Sequence, residues 1–584
     1  MRARLPMMIQ DPEISQTDVG RMVEDWIGLD QEHYLDGPVT PRIALVDLDP
    51  DTEALRPAVK FQPPAGSRTL GRYAANRNAV ESRAFIAVSA FATVWRTVKL
   101  FEEERTLGRT ISWGFDAPQL LVVPQAGWLE NAYYERSSHS LQFFAFDAGN
   151  KTIYTSLSRD IVAHETAHAL IDGIDPDLYD ALEPQALALH EGIADLTAML
   201  IAFDSGRLTH AILDKTQGRI DVSNAFSSIG EQFGDAIARG PKPGFLRNLH
   251  NDAKIDPRHE EIEPHALSQV ISGVLYELIV DMHEHFKDVY APRFGGDRLK
   301  ASGLALAVAA KLFQRMVLRG IDYLPPGEVT FADFGRAILA ADEASPGDRQ
   351  WGAKLRARFV ERRIVADEAT LDVRTNFESP PVGAVNLQGL TDSEWVAYRF
   401  ADGNRDLLGI PADAEFEVLK RVVVDGRVQA PEQTAAQMSK RAQPPAAGEP
   451  ADGAAAAGDT TPDPDSGTPF RELLFKVRWS QVEDNPPGFD PPQRRVQTGT
   501  TLVIDWNGRQ VRALQRPINF EERRSARDAV LSDLVDRGIV EICGPEGPAH
   551  GAPSPAGIDA VATGGILRVK QTARLLHVVQ ELDA

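Results

Sequence analysis

The chain has 584 residues, 43% hydrophobic and 25% charged, and a formal net charge of −22. That length asks for two to four domains and a large core, and the composition is that of a globular protein. The acidic excess argues against nucleic acid or an anionic membrane as a partner, and the single cysteine, Cys543, excludes an intrachain disulfide and a cysteine-ligated zinc.

Residues 1–80 are expected to form an N-terminal segment packed on, or extending, the unit that follows. The first 40 or so are polar and expected to pack loosely. They hold no apolar run of signal-peptide length, and no stretch of transmembrane length is expected in the chain. The simplest compartment is then the cytoplasm, with non-classical export as the alternative. Residues 43–49 (IALVDLD) read as a strand and 67–78 as loop. Phe85, Val88, Phe91, Val94, Trp95, Val98 and Phe101 recur at three to four residues, the mark of a long amphipathic helix whose aromatics serve the core. Residues 120–123 and 141–146 predict short strands of one antiparallel sheet.

The next stretch carries the chemistry. Residues 161–170 read I-V-A-H-E-T-A-H-A-L, an H-E-x-x-H inside an apolar run, predicted as a helix over 158–173 and stopped by Gly173 and Pro176. At about 100° per residue, His164 and His168 share a face one turn apart, so both imidazoles can reach one ion. Glu165 lies about a quarter-turn round, placed to take a proton from an attacking water and not to ligate. A catalytic zinc site needs a third protein ligand and an open position. The next predicted helix, 184–203, supplies one in L-H-E-G-I-A-D. Glu191 can be the ligand. Asp195, four residues on and on the same face, can accept the second ring N–H of a ligand histidine. Two histidines on a buried helix beside an incidental glutamate is the competing reading, and the second motif weakens it.

The two motifs together resemble the thermolysin-like zinc metallopeptidases (gluzincins), in which an H-E-x-x-H helix is followed about twenty residues later by an E-x-x-x-D helix. The likeness spans roughly residues 80–365, in the family's order. Asn131-Ala132-Tyr133-Tyr134 resembles the family's substrate-edge segment, which implies that the Asn131 side chain and the Ala132 backbone hold the peptide main chain. Tyr179, eleven residues after His168, matches the family's oxyanion-side tyrosine. Arg247, in F-L-R-N, resembles the arginine that grips a substrate carbonyl. His265, in P-H-A-L-S at the start of a long helix, resembles the histidine that stabilises the transition state. The resemblance implies an α+β, two-lobed peptidase domain over 81–370, with a β-containing N-terminal lobe, a mainly helical C-terminal lobe and one zinc per chain. There are departures. His168 and Glu191 are separated by 22 residues, a few more than usual; His190 replaces an Asn and Ala194 a Ser. Ala202 and Phe203 stand where calcium-binding carboxylates would be, so calcium is not carried over. Glu260, Glu261 and Glu263 could each orient His265.

Further helices are predicted over 265–286, 304–318, 331–341 and 351–363. His283-Glu284-His285 reads as a solvated helix end, because histidines two apart face different ways. After about residue 372 the resemblance ends. Residues 382–390, 415–424, 470–479 and 566–569 predict strands and 523–535 a helix, and Asn507-Gly508 between 501–506 and 509–514 predicts a two-residue hairpin. Residues 371–442 and 469–584 are expected to form an α+β accessory region around a disordered Ala/Pro/Gly-rich insertion, 443–468. No motif there carries chemistry; binding a protein partner is one use for it. The expected function is zinc-dependent hydrolysis of peptide or protein substrates by an endopeptidase. The alternatives are an aminopeptidase of a related branch, or a catalytically silent scaffold whose C-terminal region does the work.

Overall fold

A computed structural model of the chain describes residues 2–571 except 29–32, 67–68, 182, 231–244 (Gly234 apart), 256–263, 345–349, 374–380, 429–430, 442–467, 490–491, 519, 537–557 and 564–565. The insertion expected at 443–468 lies, but for Thr468, outside the described residues, as do Glu260, Glu261 and Glu263. Among the described residues the architecture mixes α-helices with several small sheets.

The N-terminal segment is not loosely packed. It contains β1 (Ala3–Met8), a single helical turn α1 (Pro12–Ile14), β2 (Val23–Ile27), β3 (Ile43–Leu45), β4 (Phe61–Gln62) and β5 (Gly71–Tyr73). Four of the strands form a sheet in the order β2-β1-β5-β4. Ala3, Leu5 and Met7 alternate into the main core at the period of a strand, a pattern too short to stand out among polar neighbours. The predicted long helix is α2 (Arg83–Glu102). Next come β6 (Leu120–Val123), β7 (Ala132–Glu135) and β8 (Ser140–Phe143), which join β3 in the order β3-β6-β8-β7. This sheet is mixed, not antiparallel: β3, β6 and β8 run parallel and only β7 opposes β8. The chain reverses between β6 and β7 at the outer edge and again between β7 and β8, so β6 and β8 run the same way. The stretch 141–146 is split, because β9 (Ala145–Ala148) leaves that sheet to pair with β10 (Lys151–Tyr154).

The helical part follows: α3 (Arg159–Ile174), α4 (Pro184–Phe203) and α5 (Gly206–Lys215), the short ribbon of β11 (Ser228–Ile229) and β12 (Arg247–Asn248), then α6 (Pro264–Tyr290), α7 (Arg298–Tyr323), α8 (Phe331–Ala344) and α9 (Gln350–Glu361). Helices α3, α4, α6, α7 and α8 pack successively, each on the next. His283 is not at a solvated helix end: α7 covers it, and its Nε2 lies 3.0 Å from Ser302 Oγ. By length and composition α2, α4 and α7 could each cross a membrane, which corrects the expectation that no stretch could. In the fold 83%, 94% and 72% of their most apolar windows are buried against other elements, so central packing accounts for their apolar surface.

After residue 380 the chain forms α10 (Leu387–Asp392), α11 (Glu394–Asp402), α12 (Arg405–Leu408), β13 (Phe416–Val428), α13 (Pro431–Arg441), β14 (Thr468–Asp484), β15 (Gln493–Asp505), β16 (Gln510–Gln515), α14 (Phe520–Asp536), β17 (Ile558–Thr563) and β18 (Ile566–Gln571). The strand expected at 382–390 is instead a turn followed by α10, because Asn386 caps a helix by accepting the Gly389 N–H at 3.1 Å. Asn507-Gly508 does not make a two-residue hairpin. Asp505 pairs with Gln510, and its carboxylate accepts the N–H groups of Asn507 and Gly508 at 3.0 Å each, closing a four-residue turn with Arg509 at φ +49°. The sheet runs β13-β14-β15-β18-β17, with β16 also on β15. Period two sorts β14 cleanly. Leu473, Phe475, Val477 and Trp479 share a core with α10 and α11. Leu474 joins the main core, and Glu472, Lys476 and Arg478 pair with Arg319, Asp175 and Asp177 of the helical part.

Candidate metal centre

α3 is buried over its whole length, and both of its ends are tied down. In its first turn Asp160 accepts the N–H groups of Ile161 (3.0 Å) and Gly230 (2.7 Å), a carboxylate where the helix dipole favours one. At the other end Lys420 of β13 donates to the carbonyls of Gly173 (2.8 Å) and Ile174. Residue 173 is glycine because the Ser112 carbonyl passes where a Cβ would stand. On α4, a Cβ at Gly192 would stand 2.7 Å from Ile271 Cγ2 of α6. That close approach brings the start of α6, with His265, beside Glu191.

His164 and His168 of α3 and Glu191 of α4 converge, all buried. The two Nε2 atoms are 3.0 Å apart; Glu191 Oε2 is 3.3 Å from His164 Nε2, and Glu191 Oε1 is 3.5 Å from His168 Nε2. Tetrahedral donors at about 2.0–2.1 Å from an ion lie about 3.3–3.4 Å from one another; with one atom from each residue the three donors here lie within 4.8 Å of one another, close enough to meet at a single ion. Glu191 Oε2 is buried and faces His164 Nε2 at 3.3 Å and His265 Nε2 at 3.7 Å. A buried carboxylate is costly unless cationic charge meets it. The His–His–Glu group can therefore hold a metal ion.

Electrostatics prepare the donors. Burial pushes His168 down to about 4, against the pull of Glu191, so it stays neutral. Burial would raise Glu191, but the nearby His168 and His265 outweigh it and hold the carboxyl well below its usual range. A neutral imidazole and an anionic carboxylate are the states that ligation requires. His164 differs: burial acts to lower it, but hydrogen bonds to Asp195 and Glu191 raise it to about 9, so it has a proton to release on ligation.

Around the triad, Asp195 Oδ1 lies 2.9 Å from His164 Nδ1. Arg247, on β12, is paired with Asp195 through two hydrogen bonds of 2.8 Å and lies 3.5 Å from His164 Nδ1. Glu165 Oε2 accepts the Tyr134 N–H at 3.0 Å. Because β7 is paired on one side only, strand alternation turns the main-chain groups of Ala132 to the same open side as those of Tyr134. The Ala132 N–H is taken by Asn131 Oδ1 at 2.8 Å. His265 Nε2 is 3.7 Å from Glu191 Oε2, and at 21% its side chain is the most exposed in the group. Tyr179 stands further out. It is buried under the Arg136 guanidinium (4.1 Å), and its ring meets His190 at 6.3 Å; His190 in turn stacks on His168 at 4.8 Å.

Two features went unread in the sequence. His190, noted there only as a departure, places its Nδ1 2.6 Å from His168 Nδ1. Asp172, fully buried, accepts from the Tyr134 hydroxyl at 2.7 Å and from Arg136 Nε at 2.9 Å. Asp172 is seven residues past Glu165, two turns along the same face, and that spacing was a readable signal. Glu165 and Asp172 together lay β7 along α3. No family model matches the chain, and no curated protein matches it in sequence.

Proposed function

We propose that this chain is a zinc-dependent endopeptidase of the thermolysin-like kind, with residues 81–370 as its catalytic unit. The observation that carries the reading is the triangle of His164, His168 and Glu191 with Glu165 next to it on α3 and the outer edge of β7 alongside. When bound, zinc would serve as a Lewis acid that acidifies water and polarises a carbonyl. Glu165 acts as the general base and then passes its proton to the leaving amine. The Tyr134 N–H holds the Glu165 carboxylate at Oε2 and so fixes its place beside the triad. An extended peptide lies along Asn131 and Ala132, displaces the Asn131 side chain from the Ala132 N–H, and adds to the sheet edge through main-chain hydrogen bonds. His265, on the exposed side, stabilises developing negative charge, and Asp195, gripped by Arg247, keeps His164 oriented. Tyr179 is assigned the more distant role of supporting the oxyanion side through the His190 stack.

The test is cleavage of casein by the full chain loaded with zinc. Glu165→Gln is expected to lower the rate by roughly 10²–10⁴-fold while zinc content stays at wild type. Undiminished cleavage in that variant would refute the assignment of the base. Zinc bound with no cleavage of any substrate by the wild type would favour a binding scaffold.

A further inference from the structure

The contact between His168 and His190 fixes where two protons sit. To ligate an ion through Nε2, His168 must present a lone pair there. A neutral imidazole carries one N–H, so the proton of His168 is then on Nδ1. That atom lies 2.6 Å from His190 Nδ1, too close for two N–H groups to face each other. His190 Nδ1 is therefore the acceptor, and the proton of His190 is on its own Nε2. His190 is fully buried, so water does not compete for the contact.

We infer that His190 is the positioning residue for His168: it fixes both the tautomer and the ring orientation of that ligand by accepting its Nδ1 proton. The inference rests on the metal reading of the triad and not on the reaction. Its consequence is an asymmetry between the two imidazoles. His164 is oriented by a carboxylate, Asp195 at 2.9 Å, and His168 by a neutral ring. His190 precedes Glu191 in sequence, so α4 delivers a donor to the ion and, from the adjacent residue, an acceptor to a ligand on α3. Any displacement of α4 moves both, which couples the third ligand to the orientation of the second.

The experiment measures zinc affinity of the full chain, stripped with a chelator and titrated against a chromophoric competitor, with the melting temperature of each stripped variant recorded beside it. His190→Leu keeps volume and loses the acceptor; it is expected to weaken zinc binding about 10–100-fold. His190→Asn restores an acceptor oxygen and is expected to recover most of that loss, although it fills the space no better than leucine. Leucine binding zinc as tightly as the wild type would overturn the inference. So would asparagine as weak as leucine, because the loss would then follow packing and not the hydrogen bond. Should His190→Leu fail to fold, His190→Gln against His190→Met makes the same comparison. No zinc binding by the wild type would remove the metal reading itself, a result distinct from either outcome in the variants.

Discussion

The two ends of α3 are secured by opposite chemistry. At its N-terminus Asp160 accepts main-chain N–H groups, and Arg159 reaches back to the Ile9 carbonyl at 2.8 Å and to Glu24 at 2.5 Å. At its C-terminus the groups are cationic: Lys420 on the last carbonyls, Lys476 on Asp175 at 3.2 Å, and Arg478 on Asp177. Asp160 and Lys420 each carry the sign that the helix dipole favours at their end, whereas Arg159 at the first position acts through its partners and not through the dipole. The partners are remote in the chain, residues 9 and 24 at one end and 420 to 478 at the other. A helix that carries two candidate ligands in its middle is thus held by the first strands and by the C-terminal sheet, and neither is an appendage.

Breaking the N-terminal attachment is expected to cost most. Arg159→Met leaves a largely buried Glu24 with the Ser205 hydroxyl at 2.8 Å but without its cation, and should lower unfolding free energy by about 3 kcal/mol, read by denaturant unfolding. A loss near zero would show that the first strands do not hold α3. At the other end Lys420→Met removes two hydrogen bonds from a charged donor, and about 2–3 kcal/mol is expected in the same assay. If Lys420→Met proved the costlier of the two, the ranking of the two ends would reverse.

A control sits away from both ends. Burial, helped by the nearby Lys287, lowers His283 to about 3, against about 6.5 in an unfolded chain. Below pH 6.5 the unfolded chain takes up a proton that the folded chain refuses, so stability is lost as pH falls from 6.5 toward 3. By pH 5 the loss is about 2 kcal/mol. Urea unfolding across that range should show it equally in wild type, Arg159→Met and Lys420→Met, and His283→Gln should flatten the slope. The smallest effect belongs to Tyr134→Phe, which loses one bond to Asp172 and keeps the main-chain bond to Glu165. About 1 kcal/mol of stability is expected to go, with casein cleavage nearly retained. A large loss of cleavage would mean that Asp172 sets the place of Glu165 through that hydroxyl.

What could be read from sequence follows from how local its cause is. The helix of H-E-x-x-H and the helix of Glu191 were legible almost to the residue, because apolar period, proline and glycine are written within each segment. The shared face of His164 and His168 was legible too, since a spacing of four on a helix fixes a face, whereas no spacing fixes the approach of Glu191 from a second helix, which was expected only from its motif and the resemblance. β1 was missed because its burial comes from α2 and the strands beside it, not from its own pattern. The same holds for residues 382–390, where an asparagine cap outweighed an apolar run. His283 was misread because α7, which covers it, lies outside its own helix. Arg247 carried a signal for charge but none for its partner; only the β11–β12 ribbon shows that it pairs with Asp195.

The most direct test of the account is equilibrium titration of the metal-stripped full chain with zinc, read by elemental analysis of the protein after desalting. One ion per chain is expected, falling to almost none in Glu191→Ala and His168→Ala at concentrations that saturate the wild type. Retention of one ion per chain in both variants, or no ion in the wild type, would contradict the assignment of His164, His168 and Glu191 as a metal centre.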